Sequence, residues 1–275
     1  MTTPRAVLSD NQPLPGKTAG ARPRGLAPKE HGAWGQLFAP LAVALGLGRP
    51  GFVAWGLAIA VVAVFMAHEP LLVVLGQRGT RAARETSVPA KRRLAMMLGA
   101  ALVFGCVALA GGSWVVRSAA GVSVALLLVA VFGFLVRGQE RSTFGELWIA
   151  STLPAASVPV CLAAGVSLQG ALSVWLSFSL AFGAGIFGVR GIIKDFRENN
   201  ARAGWVGLLL LLTPTVVLGY YRLHAGAAAL FFWIIVATCR AWRPSPKSLK
   251  RLGWTLVGAS VVQALWLIVA FRWGG

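Results

Sequence analysis

A chain of 275 residues that is 57% hydrophobic and 12% charged, with a mean hydropathy of +0.72, carries too little polar surface for a water-soluble domain. Its net charge of +18 would suit a nucleic-acid partner, but the basic residues lie between apolar runs, where they set membrane topology and meet anionic lipid headgroups. Nucleic acid is therefore excluded as a partner. Cys106, Cys161 and Cys239 fall inside apolar runs without metal-ligand spacing, which excludes a disulfide framework.

In chain order, residues 1–27 are rich in Pro, Gly, Arg and Thr, lack an apolar run, and are expected to form a disordered basic tail with no signal-peptide core. Nine apolar spans follow, at about 32–48, 51–75, 94–112, 117–136, 146–166, 169–193, 205–221, 225–242 and 252–271. Most approach the roughly 20 residues that cross a hydrocarbon core. None alternates apolar and polar residues as the strands of a membrane barrel do, so the expectation is an all-α polytopic bundle forming one domain over 28–275.

Lys and Arg are unevenly shared between the two ends of these spans. The tail and the turns after spans 2, 4, 6 and 8 carry 22 of the 26, and the other side carries only Arg49, Arg117, Arg222 and Arg272. The positive-inside rule then puts the N-terminus in the cytoplasm of a bacterial-type inner membrane and the C-terminus outside. Reporter fusions at Gly165 and Gly275 are expected on the outer side and one after Gln139 in the cytoplasm. A shared side for Gln139 and Gly275 would overturn this orientation.

Carboxylates gather at the expected cytoplasmic ends. Glu30 and His31 open span 1 in Pro28-Lys29-Glu30-His31-Gly32-Ala33-Trp34, and Glu146 opens span 5, where a first-turn carboxylate also complements the helix dipole. His68 and Glu69 lie ten residues before Arg78. That is roughly 15 Å deep along a straight helix, and Pro70 is expected to bend or unwind residues 70–77. Intramembrane His and Glu of this kind mark functional sites.

The end of span 6 reads Arg190-Gly191-Ile192-Ile193-Lys194-Asp195-Phe196-Arg197-Glu198-Asn199. On a helix Asp195, Glu198 and Asn199 share one face, and Arg190, Lys194 and Arg197 form a basic stripe beside it. Oxygen ligands next to cations suit a hard divalent ion bridging to a phosphate. Gly183, Gly185 and Gly188 spell G-x-G-x-x-G, but inside an apolar span this reads as close helix packing, not a dinucleotide fingerprint. Pro40, Pro154, Pro159 and Pro214 mark kinks or loosened turns, and the eleven tryptophans mostly suit interfacial anchoring.

Nine spans with polar motifs ending spans 2 and 6 resemble the UbiA superfamily of intramembrane prenyltransferases. Its members bind Mg²⁺ and an isoprenoid diphosphate and pass the prenyl group to a lipophilic acceptor. Lys194-Asp195-Phe196-Arg197-Glu198 is similar to the second aspartate-rich motif, whereas His68-Glu69-Pro70-Leu71-Leu72-Val73 offers one carboxylate where the first motif has three. The Pro28–Trp34 run and His68-Glu69-Pro70-Leu71 look like the YwiC-like family of small bacterial membrane proteins.

The resemblance implies a Mg²⁺ or other divalent ion held by Glu69, Asp195 and Glu198 with Glu146. Arg78, Arg190, Lys194, Arg197 and Asn199 would hold the diphosphate, and His68, His31 or Glu30 would manage the acceptor's proton. Two other functions fit the same residues: a proton-coupled solute or divalent-cation carrier, and a non-catalytic protein that binds a lipid or partner on the same fold.

Overall fold

A long apolar segment in lipid must satisfy its own backbone hydrogen bonds, and a helix does so within one segment. The computed structural model describes residues 31–78, 80–137, 139, 142–198, 202–242 and 248–273, and these are almost entirely helical. The helices are α1 (His31–Leu47), α2 (Phe52–Val74), α3 (Thr80–Gly111), α4 (Trp114–Leu128), α5 (Thr143–Ala155), α6 (Ser157–Ala163), α7 (Leu168–Glu198), α8 (Arg202–Tyr221), α9 (Leu223–Ala241) and α10 (Leu249–Trp273). A π-helical stretch, Val129–Leu135, continues α4. Among the described residues eight stretches are long and apolar enough to cross a membrane, and Gly32–Leu47 is a shorter apolar helix. The protein is an all-α polytopic membrane protein. The expected tail at 1–27, together with Glu30 and Asn199, lies outside the described residues, as do the side chains of His31 and Glu198.

The prolines act in two ways. Helices α1, α2 and α8 continue through Pro40, Pro70 and Pro214. Between Pro154 and Pro159 the apolar segment instead parts at Ala156 into α5 and α6. Hydroxyls repair the break: Ser157 Oγ donates to Pro154 O at 2.7 Å, and Ser123 Oγ reaches Ala155 O from α4 at 3.1 Å. Such local side-chain bonds are what make a broken helix tolerable in lipid.

Helix α7 is the hub. It packs on α5, α8 and α9, and more lightly on α1 and α6. In its spanning stretch 56% of residues are buried, against 6% in α3, so α7 is central and α3, which packs mainly on α2, faces lipid. The glycine face of α7 does what the sequence suggests at Gly188 and Gly191. A Cβ on Gly188 would lie 2.3 Å from Val236 Cγ1, and one on Gly191 would lie 1.8 Å from the Arg240 guanidinium. Core side chains Val174, Phe178 and Phe182 of α7 close against Phe232 and Val236 of α9 and Leu267 of α10.

The tryptophans are less uniform than interfacial anchoring implies. Trp114, Trp242 and Trp273 are exposed near helix ends. Four others donate their indole N–H to a carbonyl of another helix: Trp148 to Leu126, Trp175 to Ser151, Trp233 to Leu208 and Trp266 to His224, at 2.9–3.2 Å. An indole donor among apolar neighbours needs an acceptor, and backbone carbonyls supply it.

Candidate functional site

Three carboxylates singled out by the sequence are described with their side chains, and each is held by an arginine. The first pair depends on how α2 ends. The helix does not loosen at Pro70; it runs to Val74 and closes with Gly76 in the left-handed region at φ 73°. Gln77 N donates to Leu72 O and Gly76 N to Val73 O, both at 3.0 Å, the paired bonds of a Schellman end. The chain turns back, and Arg78 Nη2 meets Glu69 Oε2 at 2.5 Å. Glu69 is therefore only roughly 7–8 Å from its helix end at 1.5 Å per residue, not 15 Å. It remains 6% exposed, and His68 beside it is half-buried.

The second pair joins α5 to α7. Ser142 caps α5 by accepting from Gly145 N at 3.0 Å, which sets Glu146 in the first turn. Arg190 Nε donates to Glu146 Oε2 at 2.6 Å and Nη1 to Thr143 Oγ1 at 3.0 Å. Both side chains are about a third exposed, at 35% and 36%.

The third pair is more deeply placed. Arg240, at the end of α9, is 1% exposed and lies 3.0 Å from Asp195 Oδ2 and 3.2 Å from Oδ1. Its guanidinium sits 5.2 Å from the centroid of the Trp205 ring, a cation–π contact. A Cβ on either Gly191 or Gly204 would collide with it, so both glycines make room for the charge. The KDFRE segment thus has its first acid turned toward α9, while Lys194 and Arg197 stand exposed on the last turns of α7.

The Glu146–Arg190 pair borders a chamber. Helices α1, α5, α7, α9 and α10 pack each on the next, and α10 returns to α1. They surround a cavity of about 270 Å³. Its polar lining is Gln36, Glu146, Arg190 and Ser260; its apolar wall is Phe182, Ile186, Val189, Phe232, Leu256 and Val257. Gly32 lines it near the end where α1, α5 and α10 begin and α7 ends, and Phe182 and Phe232, which also line it, belong to the packed core. From Arg190 to Phe182 is eight residues of α7, roughly 12 Å. Gly185, which the sequence assigns to helix packing, faces this cavity; a Cβ there would make ordinary contacts at 3.7 and 3.9 Å.

Of the residues proposed for one metal, Glu69, Glu146 and Asp195 are described with their side chains, and each pairs with a different arginine. Among the described residues no group of three or more His, Cys, Asp and Glu side chains is placed to hold an ion. Helices α2 and α7 are not a packed pair, so Glu69 and Asp195 belong to separate neighbourhoods, each with its own arginine. The described donors do not fit Mg²⁺, and no chemical step is routed through it here.

A match to known sequences now has a place to fall. Residues 27–162 match the YwiC-like protein family model. The YwiC-like segment spans α1 to α6 and contains Glu69, Arg78 and Glu146, while Arg190, Asp195 and Arg240 lie beyond it. No curated protein and no solved structure matches the chain significantly.

Sequence reasoning did not find Arg240, Trp205 or the cavity wall. Arg240 entered only as one topology charge. The signal available was its position inside the last turn of an apolar helix. The cavity lining draws on five helices, one to several residues from each, and no local spacing encodes that.

Proposed function

We propose that this protein handles an amphiphile, receiving an anionic head group and the first part of an isoprenoid-type tail in the chamber bounded by α1, α5, α7, α9 and α10. The observation that carries the reading is a guanidinium–carboxylate pair lining a mostly apolar cavity. Arg190 offers a planar donor that can turn from Glu146 to a phosphate or diphosphate oxygen, and Lys194 one turn further on adds a second cation. Phe182, Ile186, Phe232 and Leu256 provide the apolar surface for the tail. At about 270 Å³ the chamber is near the lower end of small-molecule pockets, so it suits the head and proximal tail, with longer chains running out between helices.

The enzymatic form of this reading is prenyl transfer in the manner of the UbiA superfamily. The allylic C–O bond would break, the diphosphate would leave with its electron pair on oxygen, and the acceptor would lose a proton as the new bond forms. Stabilising the departing anion would fall to Arg190 and Lys194. A Mg²⁺-dependent version needs ligands beyond Glu69, Glu146 and Asp195, with Glu30 and Glu198 as the sequence candidates. The carrier reading has less support, because no Asp or Glu falls in the outer half of any span to continue a polar path.

Cavity filling tests the assignment. Gly185→Leu places a side chain in the chamber without a backbone collision, whereas Gly99→Leu adds one to open space on α3. Farnesyl diphosphate binding, followed by tryptophan fluorescence of purified protein in nanodiscs, is expected to weaken about tenfold or more for Gly185→Leu, the equivalent of roughly 1.4 kcal/mol. Gly99→Leu should bind like the parent. Equal binding by all three proteins would overturn the chamber as the site.

A further inference from the structure

The end of the bundle opposite the carboxylates carries four arginines, two of which have evident tasks. Arg117 donates to Leu109 O at 2.8 Å and Ala110 O at 3.0 Å, satisfying carbonyls near the end of α3. Arg222 donates to the side-chain oxygen of Gln169. Arg49 and Arg272 do neither: among the described residues their side chains have no hydrogen bond or ion pair. Both line one shallow pocket of about 610 Å³.

The pocket is built. Arg49 N donates to Ala164 O at 2.9 Å, and a Cβ on Gly48 would fall 2.1 Å from that same oxygen. The turn between α1 and α2 is thereby pinned on the end of α6, where Gly165 turns the chain at φ 85°. Helix C-termini meet here, and a cation near them is favourable in itself. A guanidinium serving a helix end bonds its carbonyls, however, as Arg117 does, and neither Arg49 nor Arg272 is so engaged. Arg49 and Arg272 place two exposed cations at one pocket, and none of the eight Asp and Glu residues falls in the turns at this end.

We infer that Arg49 and Arg272 form a phosphate-binding site. A phosphate offers paired oxygens to two guanidinium forks. The pocket is shallow and open, so a phosphate seated there can carry a substituent that extends out of it. The phosphate comes either from a phospholipid of the adjoining leaflet or from a soluble phosphate ester.

Two arms of one experiment separate these sources. Native mass spectrometry of protein released from phosphatidylglycerol nanodiscs counts retained lipids, and thermal melting in detergent with added glycerol 3-phosphate reads the soluble ligand. The double substitution Arg49→Gln/Arg272→Gln is expected to reduce retained phosphatidylglycerol about tenfold, and Arg49→Lys/Arg272→Lys, which keeps both charges, to reduce it less. A glycerol 3-phosphate stabilisation of the parent that vanishes in the Gln pair, with unchanged lipid retention, would assign the soluble source. If the Gln pair retains as much lipid as the parent and the parent gains nothing from glycerol 3-phosphate, the site does not exist.

Discussion

Asp195→Ala is expected to be the most damaging single carboxylate substitution in the protein. It removes the carboxylate that faces the Arg240 guanidinium, which is 1% exposed and lies among Gly191, Gly204 and the Trp205 ring. Removing one partner of a buried ion pair costs about 3 kcal/mol, which corresponds to roughly 6–12 °C in melting temperature for a chain of this size. The double substitution Asp195→Ala/Arg240→Met removes both charges and should recover much of that loss, a non-additivity that marks direct coupling. Thermal melting of the four proteins of this cycle in detergent measures it. Additive losses, or an Asp195→Ala protein as stable as the parent, would show that Asp195 does not neutralise Arg240.

The second large effect has opposite signs at two partners of one ion pair. If Arg190 is the head-group donor, Arg190→Gln weakens farnesyl diphosphate binding. A charge-assisted hydrogen bond contributes about 1.5–3 kcal/mol when buried, and a side chain 35% exposed falls at or below the lower end, so the expected loss is about tenfold. Glu146 competes with the ligand for the same guanidinium. Glu146→Gln removes that competitor, and the release of a half-exposed pair worth about 0.2–1 kcal/mol should tighten binding up to about fivefold. A Glu146 that holds a metal against the diphosphate predicts the reverse, a loss on Glu146→Gln, so titrating both variants separates the two arrangements.

The spans were legible because hydrophobic length is a strong signal, and most agree with the helices to within a few residues. The start of α3 is the exception: the helix begins at Thr80, not near residue 94, because Ala, Arg, Lys and Glu propagate it past the edge of the apolar run. Pro70 was a weaker stop than its local chemistry suggested. Gly76, which adopts the left-handed conformation freely, ends α2 instead. Within the candidate site, the residue types at Glu69, Glu146, Asp195 and Arg190 stood out, but their partners did not. Arg78 reaches Glu69 only because the chain reverses at Gly76. Arg190 meets Glu146 across 44 residues and Arg240 meets Asp195 across 45, distances at which pairing is set by how α5, α7 and α9 pack. The same holds for Gly185, whose neighbours look alike in sequence but are filled differently: Gly183 meets Leu211 of α8 and Leu147 of α5, and Gly188 is closed off by Val236 of α9.

Photo-crosslinking tests the chamber assignment most directly. A farnesyl diphosphate analogue with a diazirine near the head of its tail, activated in nanodiscs and mapped by peptide mass spectrometry, should label α7 around Phe182–Val189 together with Phe232 of α9 or Leu256 of α10, the walls of the cavity. Labelling should fall in Arg190→Gln and Gly185→Leu and be displaced by unlabelled farnesyl diphosphate. Labels confined to the lipid-facing side chains of α3, such as Leu102, Val103 and Val107, or unchanged by either substitution, would contradict the account.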